Sequence, residues 1–324
     1  MLKKQINIIE KAKPSQIERL KKLMSDEKDW KDFCEISNAS PINSIRVNTL
    51  KISINELKNR LGKKWKISQP FKSNPEIIIV EDDLMPGELG KSIEHILGYY
   101  YIQDIASMMP VISLNPKEDE IILDLCAAPG SKTTQLSMMM ENKGTIIAND
   151  ENLGRIGILS TNLQRCGVTN TVVTRENGNY LCKSLDKLKF KFDKILVDAP
   201  CSGEGTIRSS PQSVLMFSEN LINNLSRIQK SLLENAVKII KEGGEIVYST
   251  CTHSPEENEG VVSYILDKYP EIQIEEIKLP LKIRNGITNW NGIKYNSNVK
   301  KCARIYPQDN NTEGFFIAKL KRVK

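Results

Sequence analysis

The hydrophobic pattern of the chain changes near residue 120. Beyond that point, short apolar runs alternate with longer segments in which apolar residues recur at helical spacing. A helix is expected to start near Lys132, and another to cover residues 229–240 ahead of a Gly243-Gly244 turn. The apolar runs predict strands over residues 121–125, 145–149, 171–174, 194–197 and 245–250. This alternation predicts an α/β fold with a parallel, doubly wound sheet.

The first hundred residues carry a different pattern with fewer, mixed elements. Apolar spacing there predicts a helix over residues 14–33, a strand over 44–50, a helix over 54–61 and a strand over 77–80. We therefore expect two domains. The first is a small α+β domain over residues 1–98, and the second is the α/β domain over residues 99–324.

Two further elements are predicted near the end of the chain. The segment Ser254-Pro255-Glu256-Glu257 has the composition of a helix start, with a capping serine, a proline in the first turn and acids near the positive end. Residues 315–320 predict a late strand, as in sheets that a final antiparallel strand closes.

Two of the predicted strands end beside a thiol. The strand over residues 194–197 runs into Asp198 and then Cys201, and the strand over residues 245–250 runs into Cys251. Binding sites in open α/β sheets form outside the carboxyl ends of the strands. Either cysteine alone is more simply explained as a small buried hydrophobe. The pair, each beside polar groups, favours a site with two thiols.

Composition narrows the chemistry. The chain has 324 residues, a net charge of +6, seven scattered cysteines without a CxxC pair, and two histidines, His95 and His253. This argues against a disulfide framework, a zinc site and histidine-based catalysis, and for a reducing cytoplasm. No apolar run reaches membrane-spanning length, and residues 1–5 lead into no signal-like segment. The positive charge permits a polyanionic partner.

The first strand of the α/β domain, over residues 121–125, is followed by a turn and a helix. This arrangement is the usual binding place for a nucleotide-like cofactor. Asp150 follows Gly130 by the ~20 residues at which an acid typically holds ribose hydroxyls. A phosphate-loop interpretation fails because Ser131 and Cys126 occupy positions that require glycine. The dinucleotide fingerprint Gly-x-Gly-x-x-Gly is also missing. An adenosyl cofactor without a pyrophosphate fits better.

Three motifs then indicate a family: DLCAAPGSKTT at residues 124–134, DAPCSGEGT at 198–206 and YSTCTHSPEEN at 248–258. Together they resemble the RNA cytosine-5 methyltransferases of the NOL1/NOP2/Sun type. RVNTL at residues 46–50 and FFIAK at 315–319 extend the resemblance over nearly the whole chain, which looks most like the archaeal tRNA members. The resemblance implies a Rossmann-like methyltransferase sheet, an N-terminal RNA-binding or accessory domain, S-adenosylmethionine as cofactor and RNA, first of all tRNA, as substrate.

The resemblance also implies roles for individual residues. Cys251 matches the nucleophile, Cys201 the cysteine that helps to release the product, and Asp198 the acid that contacts the target cytosine. Lys132 matches a lysine near the reaction centre, and Asp150 matches the ribose-binding acid. The residues expected around the cofactor are Cys126, Ala127, Ala128, Pro129, Gly130, Lys132, Asp150, Arg155, Asn177 and Asp198.

One residue departs from the family pattern. Asn177 precedes Gly178 where the family usually has an aspartate that holds the adenine. An asparagine can still form a hydrogen bond with an adenine edge, so cofactor binding is expected to survive.

The RNA-contacting surface is less defined. Tyr99, Tyr100, Tyr101, Gln103 and Asp104 either stack on unpaired bases or pack between the two domains, and packing is favoured. Each of the basic residues that could guide an RNA backbone is, taken alone, more typical of a solvated surface. They are Arg46, Arg208, Lys278, Lys282, Arg284, Lys294, Lys300, Lys301 and Arg304.

Other functions stay open. In a DNA cytosine-5 methyltransferase Cys201 would be the nucleophile and Cys251 would have no role, and an amino-group methyltransferase would prefer an aromatic residue at the position of Cys201. A ribosomal RNA substrate, or a non-catalytic RNA-binding assembly factor on the same fold, are the remaining alternatives. We expect a cytoplasmic monomer without a metal or a membrane partner.

Overall fold

The computed structural model of the protein describes residues 8–323. The expectation for residues 1–5 therefore lies outside the described residues. In the described range, no helix has both the length and the apolar character needed to cross a membrane.

Strands and helices alternate along most of this range. The strands are β1 Asn43–Val47, β2 Ile67–Ser68, β3 Ile77–Val80, β4 Tyr100–Ile102, β5 Ile121–Asp124, β6 Thr145–Asn149, β7 Thr171–Thr174, β8 Phe192–Asp198, β9 Ile240–Thr250, β10 Ile272–Glu275, β11 Arg284–Asn285, β12 Asn289–Trp290, β13 Ile293–Lys294, β14 Ala303–Ile305 and β15 Phe315–Arg322. The α-helices are α1 Pro14–Leu23, α2 Glu27–Asn38, α3 Ile54–Leu61, α4 Glu88–Lys91, α5 Ile93–Ile96, α6 Ile105–Leu114, α7 Ser131–Met139, α8 Leu153–Cys166, α9 Gly178–Lys187, α10 Gln212–Leu215, α11 Glu219–Ile239, α12 Glu259–Lys268 and α13 Pro307–Asn310. Short 3₁₀ helices cover Ile9–Lys11, Glu204–Thr206 and Ser297–Lys301.

The large sheet has the order β11-β14-β15-β9-β8-β5-β6-β7, with β10 also paired to β15. The five strands from β9 to β7 are mutually parallel, and β15 runs antiparallel to β9. The predicted α/β fold, including the late antiparallel strand, is confirmed. The register pairs Asp198 with Ser249, so the ends of β8 and β9 lie side by side.

Alternating side chains of the central strands build two apolar layers. Leu123 and Ile195 pack towards α11 and α12 on one face, and Ile122 and Leu196 pack towards α6 and α7 on the other. Strands buried on both faces need continuous apolar runs, which explains the pattern by which they were predicted.

A smaller sheet, β2-β3-β1-β4, precedes the large one. Leu57 and Leu61 of α3 cover one of its faces, where they pack in one cluster with Ile45 of β1 and Ile78 of β3. Its last strand, β4, begins at Tyr100, just after residue 98, at which the sequence predicts the end of the first domain. The division of the chain into two domains stays a prediction.

The single helix predicted over residues 14–33 is wrong, because α1 and α2 are separate. Asp26 begins α2 as its N-cap, with its side chain accepting a hydrogen bond from the Asp29 N–H, and Met24 before it is extended. The apolar spacing continues across this break, which is why periodicity alone misses it.

The helix start predicted at Ser254 is also wrong. Residues 255–258 form a turn, and α12 begins at Glu259. The Ser254 hydroxyl donates to the buried Glu204 carboxylate, 2.6 Å away, and does not cap the helix. Two smaller differences are that α11 begins ten residues before residue 229, and that Gly243, with a φ of +76°, lies inside β9 and not in a turn ahead of it.

Candidate active site

A cleft of about 730 Å³ opens at the carboxyl ends of β5, β6, β8 and β9. Ala127 and Gly130 are buried beside it. All the other residues that the sequence predicted for the site line the cleft, namely Cys126, Ala128, Pro129, Lys132, Asp150, Arg155, Asn177, Asp198, Cys201 and Cys251. This grouping follows from the parallel strands, whose carboxyl ends meet at one edge of the sheet.

The two cysteines face each other at one end of the cleft. The Sγ atoms of Cys201 and Cys251 are 3.2 Å apart, although the residues are 50 positions apart in the chain. The Gly205 N–H donates to the Cys251 carbonyl at 2.9 Å and joins the two loops. The hydrogen bond with Cys251, together with burial, raises the pKa of the Cys201 thiol well above its ordinary value. Two thiols can therefore act on one bound molecule, with Cys201 neutral.

Lys132 and Asp198 form an ion pair beside the cysteines. Lys132 Nζ lies 2.7 Å from Asp198 Oδ2 and donates to Ser107 Oγ at 3.1 Å. The other carboxylate oxygen, Oδ1, accepts a hydrogen bond from Ser249 Oγ at 2.7 Å. The Phe315 ring lies under the Lys132 ammonium, 5.2 Å from Nζ to the ring centre. Asp198 is thus held at both oxygens by groups around the cleft.

Sequence reasoning missed both serines of this arrangement. Ser249 lies on β9, two residues before Cys251, which directly follows the strand, and alternation along an extended chain directs such side chains to the same side. That signal was available in the sequence. Ser107 comes from α6 and carried no comparable signal, because only the fold brings it to Lys132.

A second part of the cleft is built around Asp150. Its carboxylate is 3% exposed, lies 3.2 Å from the Arg155 guanidinium and accepts a hydrogen bond from the Ala128 N–H at 3.3 Å. Arg155 also donates to the Ala128 carbonyl. Gly130 has a φ of +102°, and a Cβ there would lie 2.9 Å from Leu159 of α8, so this turn requires glycine. Asp150 and the turn therefore form one rigid wall.

Asn177 is engaged by its own surroundings. Its side-chain oxygen caps α9 by accepting from the Asn179 N–H at 3.1 Å, and its Nδ2 donates to Glu151 at 2.9 Å. Asn149, which sequence reasoning did not single out, also lines the cleft and donates to the Leu125 carbonyl at 3.2 Å. These amides shape one wall of the cleft.

The four arginines considered for RNA contact all have partners within the protein. Arg46, Arg208 and Arg304 are buried, and Arg284 is paired with Asp29 and Asp309. For the three buried arginines, the surface role is wrong; Arg284 is partly exposed but already holds two carboxylates. The side chains of Lys278, Lys282, Lys294 and Lys300 are exposed and stay candidates, whereas Lys301 is half-buried.

Tyr100 and Tyr101 are packed inside the protein, as expected from the favoured interpretation. Tyr100 is fully buried, and Tyr101 is 8% exposed, with the guanidinium groups of Arg46 and Arg165 each 5.4 Å from its ring centre. Arg46 in turn donates to the Ser131 carbonyl at 3.0 Å and so connects β1 to the first residue of α7. The small sheet therefore supports the helix that carries Lys132.

A model of the family of 16S rRNA methyltransferases RsmB/F matches residues 111–321. A second model, of the N-terminal domain of 16S rRNA methyltransferase RsmF, matches residues 14–105. The chain belongs to this family of RNA methyltransferases. The resemblance noted in the sequence is confirmed, and with it the class of enzyme, an RNA cytosine-5 methyltransferase.

The chain is similar over most of its length to two other RNA methyltransferases. The chain is 42% identical over 308 residues to the tRNA (cytosine(49)-C(5))-methyltransferase of Pyrococcus abyssi, covering 94% of this chain and 95% of that protein. It is 37% identical over 313 residues to the ribosomal RNA small subunit methyltransferase F of Vibrio cholerae. That match covers 95% of this chain but 63% of the longer relative, so the chain spans less than two thirds of it.

A solved structure agrees with the fold of this methyltransferase. The crystal structure of NSun6 from Pyrococcus horikoshii with SFG, an analogue of S-adenosylmethionine, matches at a TM-score of 0.83 and 27% identity. The match covers 98% of this chain and all of that one. Within residues 8–323, no group of three or more His, Cys, Asp or Glu side chains is arranged to hold a metal ion.

Proposed function

We propose that this protein methylates carbon 5 of cytosine in RNA through a covalent adduct with Cys251, with tRNA as the first substrate to test. The pair of thiols 3.2 Å apart, beside the Lys132–Asp198 ion pair, carries the proposal. A DNA-type mechanism would use Cys201 as its only cysteine and would leave Cys251, 3.2 Å away, without a role.

The cleft suits an adenosyl cofactor. S-adenosylmethionine, when bound, would supply an electrophilic methyl group. Asp150 would accept hydrogen bonds from the ribose hydroxyls, and its charge is already balanced by Arg155. The turn of residues 126–130 would border the rest of the cofactor, and Asn177, already bonded to Glu151, would border the adenine.

Carbon 5 of cytosine is a weak nucleophile, and the cysteines would change that. Attack by the Cys251 thiolate forms an Sγ–C6 bond and moves electron density to carbon 5, so that one difficult step becomes two easier ones. Asp198 would take up the proton that the Cys251 thiol releases and donate it to ring nitrogen 3. Lys132 and Ser249 hold the two oxygens of Asp198 in place for this transfer.

Product release needs a base. After methyl transfer, carbon 5 carries both a methyl group and a proton. Cys201, or a water molecule that it orders, would take this proton, the C5–C6 double bond would re-form, and Cys251 would leave as a thiolate. The raised pKa of Cys201 keeps it protonated beside Cys251, so it would pass its own proton to the departing Cys251 sulfur, 3.2 Å away, as it takes the proton from carbon 5.

The choice of tRNA rests on the archaeal relative, which matches over nearly the full length of both chains. Ribosomal RNA is the second candidate, because the matching family model describes 16S rRNA enzymes. The target base must leave its stack to reach the cleft, and unpaired loops allow this most easily. That the protein works as a monomer in the cytoplasm stays a prediction.

The test compares the parent protein with Cys201→Ala and Cys251→Ala. Each is mixed with unmodified tRNA and S-adenosylmethionine and run on a denaturing gel, and methyl transfer is measured in parallel. We expect a stable protein–RNA adduct with Cys201→Ala and none with Cys251→Ala. Cys34→Ala, a half-buried thiol on α2, is the matched control and should methylate at the parent rate.

An adduct only when Cys251 is replaced would reverse the two roles. If tRNA gives neither adduct nor methyl transfer with any variant, ribosomal RNA is tested next. Failure with both RNAs would contradict the proposed activity and favour the non-catalytic RNA-binding alternative.

A further inference from the structure

A buried carboxylate lies directly behind the two cysteines. Glu257 is 0% exposed and belongs to the turn between β9 and α12. Its Oε2 accepts hydrogen bonds from the Ser202 N–H at 3.0 Å and from Gln229 Nε2 at 2.8 Å, and its Oε1 accepts from Ser202 Oγ at 2.5 Å. Ser202 directly follows Cys201, so this carboxylate holds the residue next to the second thiol.

The same group of bonds reaches the other side of Cys201. Gln229 Nε2 also donates to the Pro200 carbonyl at 2.8 Å, so the residues before and after Cys201 are both held. Ser202 Oγ lies 2.8 Å from Thr252 Oγ1, and Thr252 directly follows Cys251. Glu257 therefore fixes the loop of Cys201 and sets its distance from the loop of Cys251.

The loop of Cys251 has anchors of its own. Thr250 is paired with Phe316 in the register of β9 and β15, and Thr252 Oγ1 lies 3.2 Å from the buried Glu204 carboxylate. The Cys251 carbonyl accepts from the Gly205 N–H. Losing Glu257 would consequently loosen Cys201 much more than Cys251.

We propose that Glu257 is a positioning residue that holds Cys201 Sγ where it can resolve the Cys251–RNA adduct. This inference rests on the proposed function. A shift of about 1 Å in a reacting group can slow a step by up to ~100-fold, so a loosened Cys201 loop would slow release while Cys251 still attacks the base.

The environment of Glu257 supports this assignment. Burial raises its pKa to about 7, and three donors on Ser202 and Gln229 hold the carboxylate. Glutamine has nearly the same shape and keeps one acceptor oxygen, while its amide can donate to Ser202 Oγ. Glu257→Gln should therefore keep most of the loop geometry, whereas Glu257→Ala removes it.

The experiment measures adduct and turnover with tRNA and S-adenosylmethionine. With Glu257→Ala we expect a visible adduct on a denaturing gel, kcat lower by about tenfold, and KM for RNA changed less than about threefold. Glu257→Gln should keep kcat within about threefold of the parent. Glu256→Ala is the matched control, because this neighbouring carboxylate binds Arg19 and Trp290 instead, and it should not accumulate adduct.

If Glu257 had only a structural role, its loss would lower activity without raising the amount of adduct. The amount of adduct therefore distinguishes a positioning role from a structural one. If Glu257→Ala does not fold, Ser202→Ala is the smaller change. It removes the hydroxyl that bonds to Glu257 and Thr252, and it should also accumulate adduct. Folded variants with the parent level of adduct and normal kcat would overturn the inference, as would loss of adduct formation together with activity. Cys201→Ala in the same assay separates these outcomes from failure of the proposed function, because it must trap adduct if that function is right.

Discussion

Replacing Arg304 with methionine should destabilise the protein and leave RNA affinity unchanged. Arg304 on β14 is 2% exposed and contacts Glu259, the first residue of α12, which is 0% exposed. Arg304 Nε lies 2.5 Å from Glu259 Oε1, and Nη2 lies 2.6 Å from Oε2. A guanidinium bound in this two-pronged manner inside the protein is not available to a phosphate group.

The expected loss of stability follows from the buried groups that Arg304→Met leaves without a partner. Without Arg304, the Glu259 carboxylate keeps the Ile287 N–H at 2.9 Å but loses its counter-ion in a dry environment. The His253 carbonyl, which accepts from Arg304 at 3.0 Å, also loses its donor. Breaking such a buried pair costs about 3–5 kcal/mol. For a chain of this length, that corresponds to a fall in Tm of roughly 4–7 °C.

The assay is a double-mutant cycle. Urea and thermal unfolding are measured for the parent, Arg304→Met, Glu259→Gln and the double variant, and tRNA binding is measured for each. The double variant should lose at least about 2 kcal/mol less than the sum of the single losses, because no buried charge is left unpaired. Lys300→Met, an exposed cation in the preceding segment, is the control and should shift Tm by less than about 1 °C. An unchanged Tm for Arg304→Met with weakened tRNA binding would refute this reasoning.

Two acids allow further predictions. Burial raises the pKa of Asp124 to about 7, so its contribution to stability is present at low pH and is lost as the pH rises through 7. Asp124→Asn should therefore gain about 2–3 kcal/mol relative to the parent between pH 5 and pH 8 in urea unfolding, and an equal difference at both pH values would contradict the raised pKa. Asp150→Asn should weaken S-adenosylmethionine binding in calorimetry by roughly 10–100-fold, because bonds to a charged acceptor contribute about 1.5–3 kcal/mol. Unchanged cofactor affinity would remove Asp150 from the proposed site.

The order of the α/β elements was readable from short-range pattern. The strands at residues 145–149 and 171–174 and the helix at 54–61 lie where the pattern placed them. The sequence places Asp198 and Cys251 in one site, because parallel strands bring their carboxyl ends to a common edge. The motifs that follow these strands also identified the family, since they are local in sequence.

Helix boundaries were less predictable. A helical apolar spacing runs across Met24 to Asp26, yet a cap at Asp26 starts a second helix. Ser254 has the composition of a cap, but its hydroxyl is taken by Glu204, 50 positions away in the chain. Local composition states which bonds a side chain can form, and distant partners decide which of them it does form.

The sequence by itself determined the fold class, the edge of the sheet that carries the cleft, and the identities of the two thiols and the acid beside them. Only the tertiary structure decided which charges are internal. Arg46 and Arg304 look like surface cations in the sequence, and both are buried because their partners come from other elements. The links from Ser249 to Asp198 and from Glu257 to the residue after Cys201 span 51 and 55 positions. Periodicity and motifs report neighbours within a few residues, whereas burial and hydrogen bonding depend on which distant elements the packed sheet brings together.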